Sequence, residues 1–182
     1  MKSASSCPTG VSNREMIMRK IAFLAPLALT LAVVGGAHAR IQAPEVHVVI
    51  GGDLIEEAEE IGMRDVDAQA TRLQEKVSRA LARTPGLEGA RVELTLTDLK
   101  PNRPTMEQAS RRPGLSVIDS RSIGGAAVEG ELITADGQRL PVRLSRYSTS
   151  IQEVYGHTTW QDADRAFDLI ARRISEGRLT AR

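Results

Sequence analysis

The chain has 182 residues, and its 24 lysines and arginines nearly balance its 23 aspartates and glutamates. Balanced charge and an aromatic content of only 3% leave too few cations and stacking rings for nucleic-acid binding, so we expect no nucleic-acid partner. The one cysteine, Cys7, lies near the N-terminus and has no second cysteine to pair with, so no disulfide is expected.

Residues 18–39 have the three parts of a cleavable export signal. Arg19 and Lys20 form a positive end, residues 21–34 form an apolar run, and Ala37-His38-Ala39 is a small-x-small cleavage site. The apolar run is shorter than the roughly 20 residues that a spanning helix needs. We therefore expect cleavage after Ala39 and a periplasmic or secreted protein that meets the membrane only through this transient segment; an uncleaved signal anchor is the alternative.

Residues 1–17 lack apolar periodicity and are interpreted as an over-long start or a disordered stretch, with Met16 or Met18 as the true initiator. Residues 1–39 hold four of the basic and one of the acidic residues, so residues 40–182 carry 20 basic and 22 acidic side chains, without cysteine. A segment of this length buries roughly two-thirds of its unfolded surface as a single domain, so its core can stabilise it without disulfides.

The first half of this domain predicts a strand, two helices and a second strand. Alternation of apolar and polar residues over 44–50 predicts the first strand. Apolar residues at helical spacing predict a short acidic helix over 53–61 and a longer helix over 65–83. Alternation returns over residues 91–97 and predicts the second strand.

The next two strands are predicted to form a hairpin around Ala135-Asp136-Gly137. A two-residue Asp-Gly turn would place glutamates on the core face. A three-residue loop with Gly137 in the left-handed conformation instead pairs Leu132 with Leu140, so we prefer that register. Pro141 cannot donate a hydrogen bond to a ladder, which predicts a sheet edge on one side of the second hairpin strand.

The last helix is predicted to begin at Thr159-Trp160-Gln161-Asp162, with Thr159 and Asp162 as a capping box, and to end at Gly177. Its apolar stripe consists of Trp160, Ala163, Phe167, Ile170, Ala171 and Ile174. The order β-α-α-β-β-β-α therefore predicts an α+β two-layer sandwich: a four-stranded, mostly antiparallel sheet with two main helices on one face.

A long connection, residues 99–122, separates the second and third strands. Connections of this length in a compact domain are usually functional or flexible. It contains the basic residues Lys100, Arg103, Arg111 and Arg112. One interpretation is a basic lip that binds an acidic protein face, a lipid head group or a cell-wall polymer. The other is a solvated loop with a helical turn at Thr105 to Arg111, docked on the acidic run Glu56 to Glu60.

Residues 147–160 form a second candidate site because most aromatic side chains of the domain lie there. These residues are Tyr147, Tyr155, His157 and Trp160. Rings with polar ends can line a ligand cleft, and a histidine can transfer protons near neutral pH. In the alternative interpretation, Trp160 packs under the hairpin and His157 is an exposed loop residue.

The sequence contains no recognisable catalytic or metal-binding motif. Ser148 or Ser150 lies near His157 and Asp162 in sequence, but no nucleophile elbow is present, so an enzyme is not expected. With two histidines and no cysteine in residues 40–182, neither a metal site nor a cofactor is expected.

The order of an export signal, a strand, a helix, a hairpin ending in Asp136-Gly137 and a terminal helix led by Trp160 resembles small uncharacterised cell-envelope domains of Gram-negative bacteria, periplasmic or lipoprotein-like. The resemblance covers about Glu45 to Glu176 and implies no catalytic residues. Several such families are lipoproteins, whereas this chain has no cysteine after its apolar run to carry acyl chains.

The expected function is therefore a soluble exported binding or assembly module of the cell envelope. Its expected partner is a cell-envelope protein or polymer, contacted through the 99–122 loop or through residues 147–160. Two alternatives remain open: a small secreted hydrolase with His157 as the base, and a secreted inhibitor that acts through the 99–122 loop.

Overall fold

The computed structural model describes the backbone of residues 43–181 and the side chains up to Thr180. The predictions for the export signal, its cleavage site and the preceding residues lie outside this range. The elements are β1 (Glu45–Ile50), α1 (Leu54–Ile61), α2 (Met63–Leu81), β2 (Arg91–Lys100), α3 (Met106–Arg111), β3 (Gly125–Ile133), β4 (Arg139–Tyr147), α4 (Gln161–Ser175) and β5 (Thr180–Ala181). The predicted order is confirmed, with α3 and the two-residue β5 added.

The strands form one mixed sheet in the order β1-β2-β3-β4-β5. β1 and β2 are parallel, because α1 and α2 carry the chain back to the end of the sheet where β1 began. β2, β3 and β4 are antiparallel neighbours. α2 packs against β1 and α4, and α4 packs against β3 and β4. The α+β two-layer architecture is confirmed: the long helices cover one face of the sheet, and charged side chains lie on the other.

The core lies between the sheet and the two long helices. Alternate residues of each main strand point into it, as the alternation predicted, and the apolar stripes of α2 and α4 close it from the other side. Phe167 on α4 is fully buried and is the largest such side chain in the described part of the chain. Trp160 packs against this core but is only partly buried.

The predicted hairpin register is confirmed. Leu132 pairs with Leu140, and Glu129 pairs with Arg143 on the outer face, where the carboxylate lies 3.1 Å from the guanidinium. Gly137 has a φ of +86°, the left-handed conformation that the three-residue loop requires.

Pro141 lies where β4 is the edge of the sheet. β5 pairs only with Arg143 and Leu144, and the Arg143 N–H donates to Leu179 O at 2.8 Å. Pro141 is two residues before Arg143, so its nitrogen faces the same outer side. The predicted edge is therefore present over this part of β4.

The end of β2 was predicted too early. The strand continues to Lys100, so Leu99 and Lys100 belong to the sheet and not to the connection that follows. A bulge between Leu96 and Asp98 adds one residue, after which Leu99 again points into the core and is fully buried. Because the bulge shifts the alternation by one residue, the sequence pattern ends at Thr97 although the strand does not.

Candidate functional site

The connection between β2 and β3 is a folded segment that packs on α1. α3 begins with a capping box, in which Thr105 Oγ1 accepts from Gln108 N at 3.2 Å and Gln108 Oε1 accepts from Thr105 N at 3.1 Å. Thr105 Oγ1 also donates to Ile61 O at 2.5 Å. Arg112 forms an ion pair with Glu60, and Arg111 Nε lies 2.6 Å from Glu107 Oε1. The predicted helical turn and its contact with the acidic run are therefore present.

Arg103 joins this connection to residues 147–160. Its Nε donates to the carbonyl oxygen of His157 at 2.6 Å, and its Nη1 donates to the carbonyl oxygen of Ile118. Next to it, Asn102 N donates to Thr159 O at 2.7 Å. The two candidate segments of the sequence therefore form one continuous surface.

A buried hydrogen-bond network around Asp162 lies beneath that surface. Asp162 is 1% exposed, and its Oδ2 accepts hydrogen bonds of 2.6 Å from both Asn102 Nδ2 and Ser148 Oγ. Asn102 Oδ1 accepts from Asp162 N at 2.9 Å, and Asn102 Nδ2 also donates to Ser122 O at 3.3 Å. Asn102 thereby connects β2, the residues before β3 and the first turn of α4.

This network corrects the predicted capping box of α4. The helix begins after Trp160, and Thr159 provides no side-chain cap. Asp162 accepts from Asn102 and Ser148 instead of from a backbone amide of its own helix. Asn102, which lies 60 residues earlier in the chain, satisfies the free amide of Asp162.

Hydrogen bonding and a nearby cation determine the charge state of Asp162. Burial alone would raise the pKa of its carboxyl group. The hydrogen bonds from Ser148 and Asn102, together with the neighbouring Arg165 guanidinium, outweigh burial and hold that pKa below its ordinary value. Asp162 is therefore a carboxylate at neutral pH.

His157 lies beside this carboxylate and is 7% exposed, which corrects its interpretation as an exposed loop residue. Arg165 Nη1 lies 3.1 Å from His157 Nε2, and a guanidinium only donates, so Nε2 accepts and the ring proton is on Nδ1. Nδ1 lies 3.5 Å from Asp162 Oδ1, beyond hydrogen-bond length. The Ser148 hydroxyl donates to Asp162 and not to the imidazole, so Ser148 is not placed as a nucleophile with His157 as its base.

Tyr147 and Tyr155 lie at different parts of the surface. The Tyr147 hydroxyl donates to Asp98 Oδ2 at 2.6 Å, and burial, together with this carboxylate, raises the pKa of the Tyr147 phenol above its ordinary value. Tyr155 is exposed, and the Arg121 guanidinium lies 4.6 Å from the centre of its ring. Tyr147 is thus held by the sheet, whereas Tyr155 and Arg121 are presented to solvent.

A cleft of about 290 Å³ opens next to this stacked pair. Its lining residues are Lys100, Pro101, Pro104, Gln108, Leu115, Ser120, Arg121, Ser122 and Ile123. The walls are mainly apolar, and the two charged side chains among the lining residues are both cations. The cleft is therefore suited to an apolar group that lies next to a negative charge.

Sequence reasoning identified Arg103, Tyr155 and His157 but missed Asn102, Arg121 and Arg165. Asn102 lies between Pro101 and Pro104, which restrict the backbone. A polar side chain held in such a segment is a candidate for hydrogen bonds to other parts of the chain. The pairings of Arg121 and Arg165 have no comparable local signal.

The described residues contain no group of three or more histidine, cysteine, aspartate or glutamate side chains placed to hold a metal ion. Among the helices in this range, none combines the length and the apolar character that crossing a membrane would require.

Comparisons with known proteins give a weak structural similarity. No protein-family model matches the chain, and no curated protein matches it. Its fold is similar to the crystal structure of a candidate lipoprotein from Caulobacter crescentus, with 16% sequence identity, a TM-score of 0.34, and coverage of 74% of this chain and 86% of the other. At this identity and TM-score, the similarity supports no statement about function.

Proposed function

We propose that this chain is an exported binding module of the cell envelope. Its binding site is the loop–corner surface, which we define as the exposed side chains of residues 100–123 and 147–160. The observation that carries the proposal is the joining of these two segments by Asn102 and Arg103 into one surface. The export signal that the sequence predicts in residues 18–39 supports the location.

The distribution of exposed apolar side chains supports a binding role. Of the nine large hydrophobic side chains that are exposed in the described range, six lie on the loop–corner surface. They are Met106, Leu115, Ile118, Ile123, Ile151 and Tyr155. Single exposed apolar residues are common, but a group of them with a polar rim is typical of interaction sites.

The surface also has a rigid support. Asp162 and Asn102 are buried beneath it and connect the sheet to α4, and Arg103 fixes the backbone of Ile118 and His157. A surface that is already ordered loses less conformational entropy on binding than a flexible loop does.

The same geometry favours a binding module over the two alternatives. Asp162 and His157 are buried, Ser148 is half-buried, and the Ser148 hydroxyl is held by the Asp162 carboxylate, so we assign this cluster a structural role and propose no catalytic activity. The connection is tied to α1 through Thr105 and Arg112 and does not project freely, as a loop that enters another protein's cleft would.

Site-specific photo-crosslinking in intact cells tests the proposal. A photoreactive phenylalanine at position 155 should form an adduct with an envelope component, which mass spectrometry identifies as protein, polymer or lipid. The same group at position 49 is the control. Val49 is exposed on the face of the sheet that the helices do not cover, and it lies outside the loop–corner surface.

An adduct at position 155 that is absent at position 49 and lost in an Arg121→Glu background would support the proposal. Equal labelling at both positions, or recovery of the protein in the cytosol, would contradict it.

A further inference from the structure

We propose that the partner of the loop–corner surface is the surface of a bilayer that contains anionic phospholipid. This inference rests on the proposed function and names its partner. It departs from the sequence-based expectation, in which the chain meets a membrane only through its signal segment.

Charge complementarity is the first argument. Residues 99–122 contain five basic and two acidic side chains, whereas residues 40–182 as a whole carry 20 basic and 22 acidic ones. The basic side chains are Lys100, Arg103, Arg111, Arg112 and Arg121, and the acidic ones are Glu107 and Asp119. With Glu153 included, the loop–corner surface carries five basic and three acidic side chains, a net positive charge on a slightly acidic domain. Lys100, Arg111 and Arg112 are paired with carboxylates, so the unpaired charge that attracts anionic head groups is chiefly that of Arg121.

Two cations line the cleft, and Lys100 lies 3.4 Å from the carboxylate of Asp98, so Arg121 is the one available for a negative ligand. Arg121 has no ion pair with a carboxylate among the described residues, and its guanidinium lies on the ring of Tyr155. The cleft between Lys100 and Arg121 has no acidic lining residue. Guanidinium groups match the geometry of phosphate oxygens, so an exposed and unpaired arginine is suited to a phospholipid head group.

The exposed apolar side chains are the second argument, and they distinguish a lipid from a polymer. Ile118 and Tyr155 are 69% and 76% exposed. A hydrophilic cell-wall polymer would pair with the cations but would leave these side chains in water. At a bilayer interface, aliphatic side chains enter the acyl region, tyrosine lies at the head-group level, and the cations remain at the phosphates.

Vesicle co-sedimentation tests the inference. The full chain is mixed with vesicles of equal parts phosphatidylglycerol and phosphatidylcholine, or of phosphatidylcholine alone, at moderate salt. We expect preferential binding to the anionic vesicles. Arg121→Gln should weaken this binding about fivefold, the factor for one basic residue at an anionic surface. Ile118→Ser should weaken it on both vesicle types, because an apolar side chain is lost from the interface.

The matched controls are Arg79→Gln and Val49→Ser, which change side chains that are 63% and 58% exposed on other surfaces. Every variant contains the same residues 1–42, so a difference in binding between two variants does not arise from that segment. Circular dichroism checks that each variant is folded. The controls should bind like the unmodified chain.

Equal binding to both vesicle types, or no loss of binding in Arg121→Gln and Ile118→Ser, would overturn the inference. If the inference fails in this way while position 155 still crosslinks to an envelope protein in cells, the proposed function stands with a protein partner. The absence of any adduct at position 155 would instead contradict the proposed function itself.

Discussion

Asp162 holds three distant parts of the chain together. Its carboxylate accepts from Asn102 at the end of β2 and from Ser148 after β4, while its backbone is part of α4. A buried carboxylate is destabilising unless it is well hydrogen-bonded, so each of these partners contributes to the stability of the folded state.

We expect Asp162→Asn to lower the free energy of unfolding at neutral pH by about 1–3 kcal/mol, since hydrogen bonds to a buried charged acceptor are lost. The pKa of Asp162 in the folded state lies below its ordinary value of 3.8. The stability that the ionised Asp162 contributes is therefore fully present when the pH is above that value. It is lost as the pH falls through the lower pKa of the folded state. Urea unfolding should show a lower stability for Asp162→Asn than for the unmodified protein at neutral pH. In acid, the unfolding curves of the two proteins should coincide.

Asp168→Asn is the control for this prediction, because Asp168 lies on the same helix but is exposed, and Lys76 keeps its ion pair with Asp164 when Asp168 is changed. A stability difference for Asp162→Asn that is the same at every pH would argue against the predicted linkage.

At the scale of elements, α4 connects the core to the loop–corner surface. Its apolar stripe packs on β3 and β4, and its first turn contains Asp162. Damage to the packing of this helix should therefore also disturb the surface above it.

Phe167→Ala should lower the free energy of unfolding by about 3–5 kcal/mol, because a fully buried ring is replaced by a cavity. Thermal or urea unfolding measures the loss, and Arg172→Ala, an exposed change on the same helix, is the control and should change stability little. A small effect of Phe167→Ala would mean that the helix is not docked on the sheet.

The elements themselves were predictable because their signals are local. The periods of 2 and 3.6 residues, together with Gly137 in the turn, determine the strands, the long helices and the hairpin register. The bulge in β2 was not predictable, because it interrupts the alternation from which the strand was identified. The network of Asn102 and Asp162 joins residues 60 positions apart, and no local pattern indicates that pairing.

At the scale of the whole molecule, the two faces of the sheet differ in role. α2 and α4 cover one face and enclose the core, whereas the other face carries ion pairs such as Glu129 with Arg143. The loop–corner surface lies at neither face but where β2 and β4 end, which is where the two candidate segments meet. A domain of this design can be stable without disulfides while the proposed binding surface lies outside the core.

We expect the exported protein to begin at Arg40, because residues 37–39 form the small-x-small site. Intact mass and N-terminal sequencing of the envelope fraction measure the start. Ala37→Leu should block processing, since the site requires a small residue there, whereas Ala43→Leu lies beyond the site and should not. A mature start upstream of Arg40 would rule out this cleavage site.

The parallel pairing of β1 with β2 limits how early β1 can join the sheet. It joins Glu45 to Arg91, 46 positions apart, whereas Glu131 and Arg139 in the hairpin are eight positions apart. Pairing between distant segments forms slowly, because the chain loses more entropy when it closes a long loop. Synthesis proceeds from the N-terminus, so β1 emerges from the ribosome well before its neighbour exists. Until β2 is synthesised, the backbone N–H and C=O groups of β1 have no strand partner within the chain. During that interval β1 can pair with strands of other proteins.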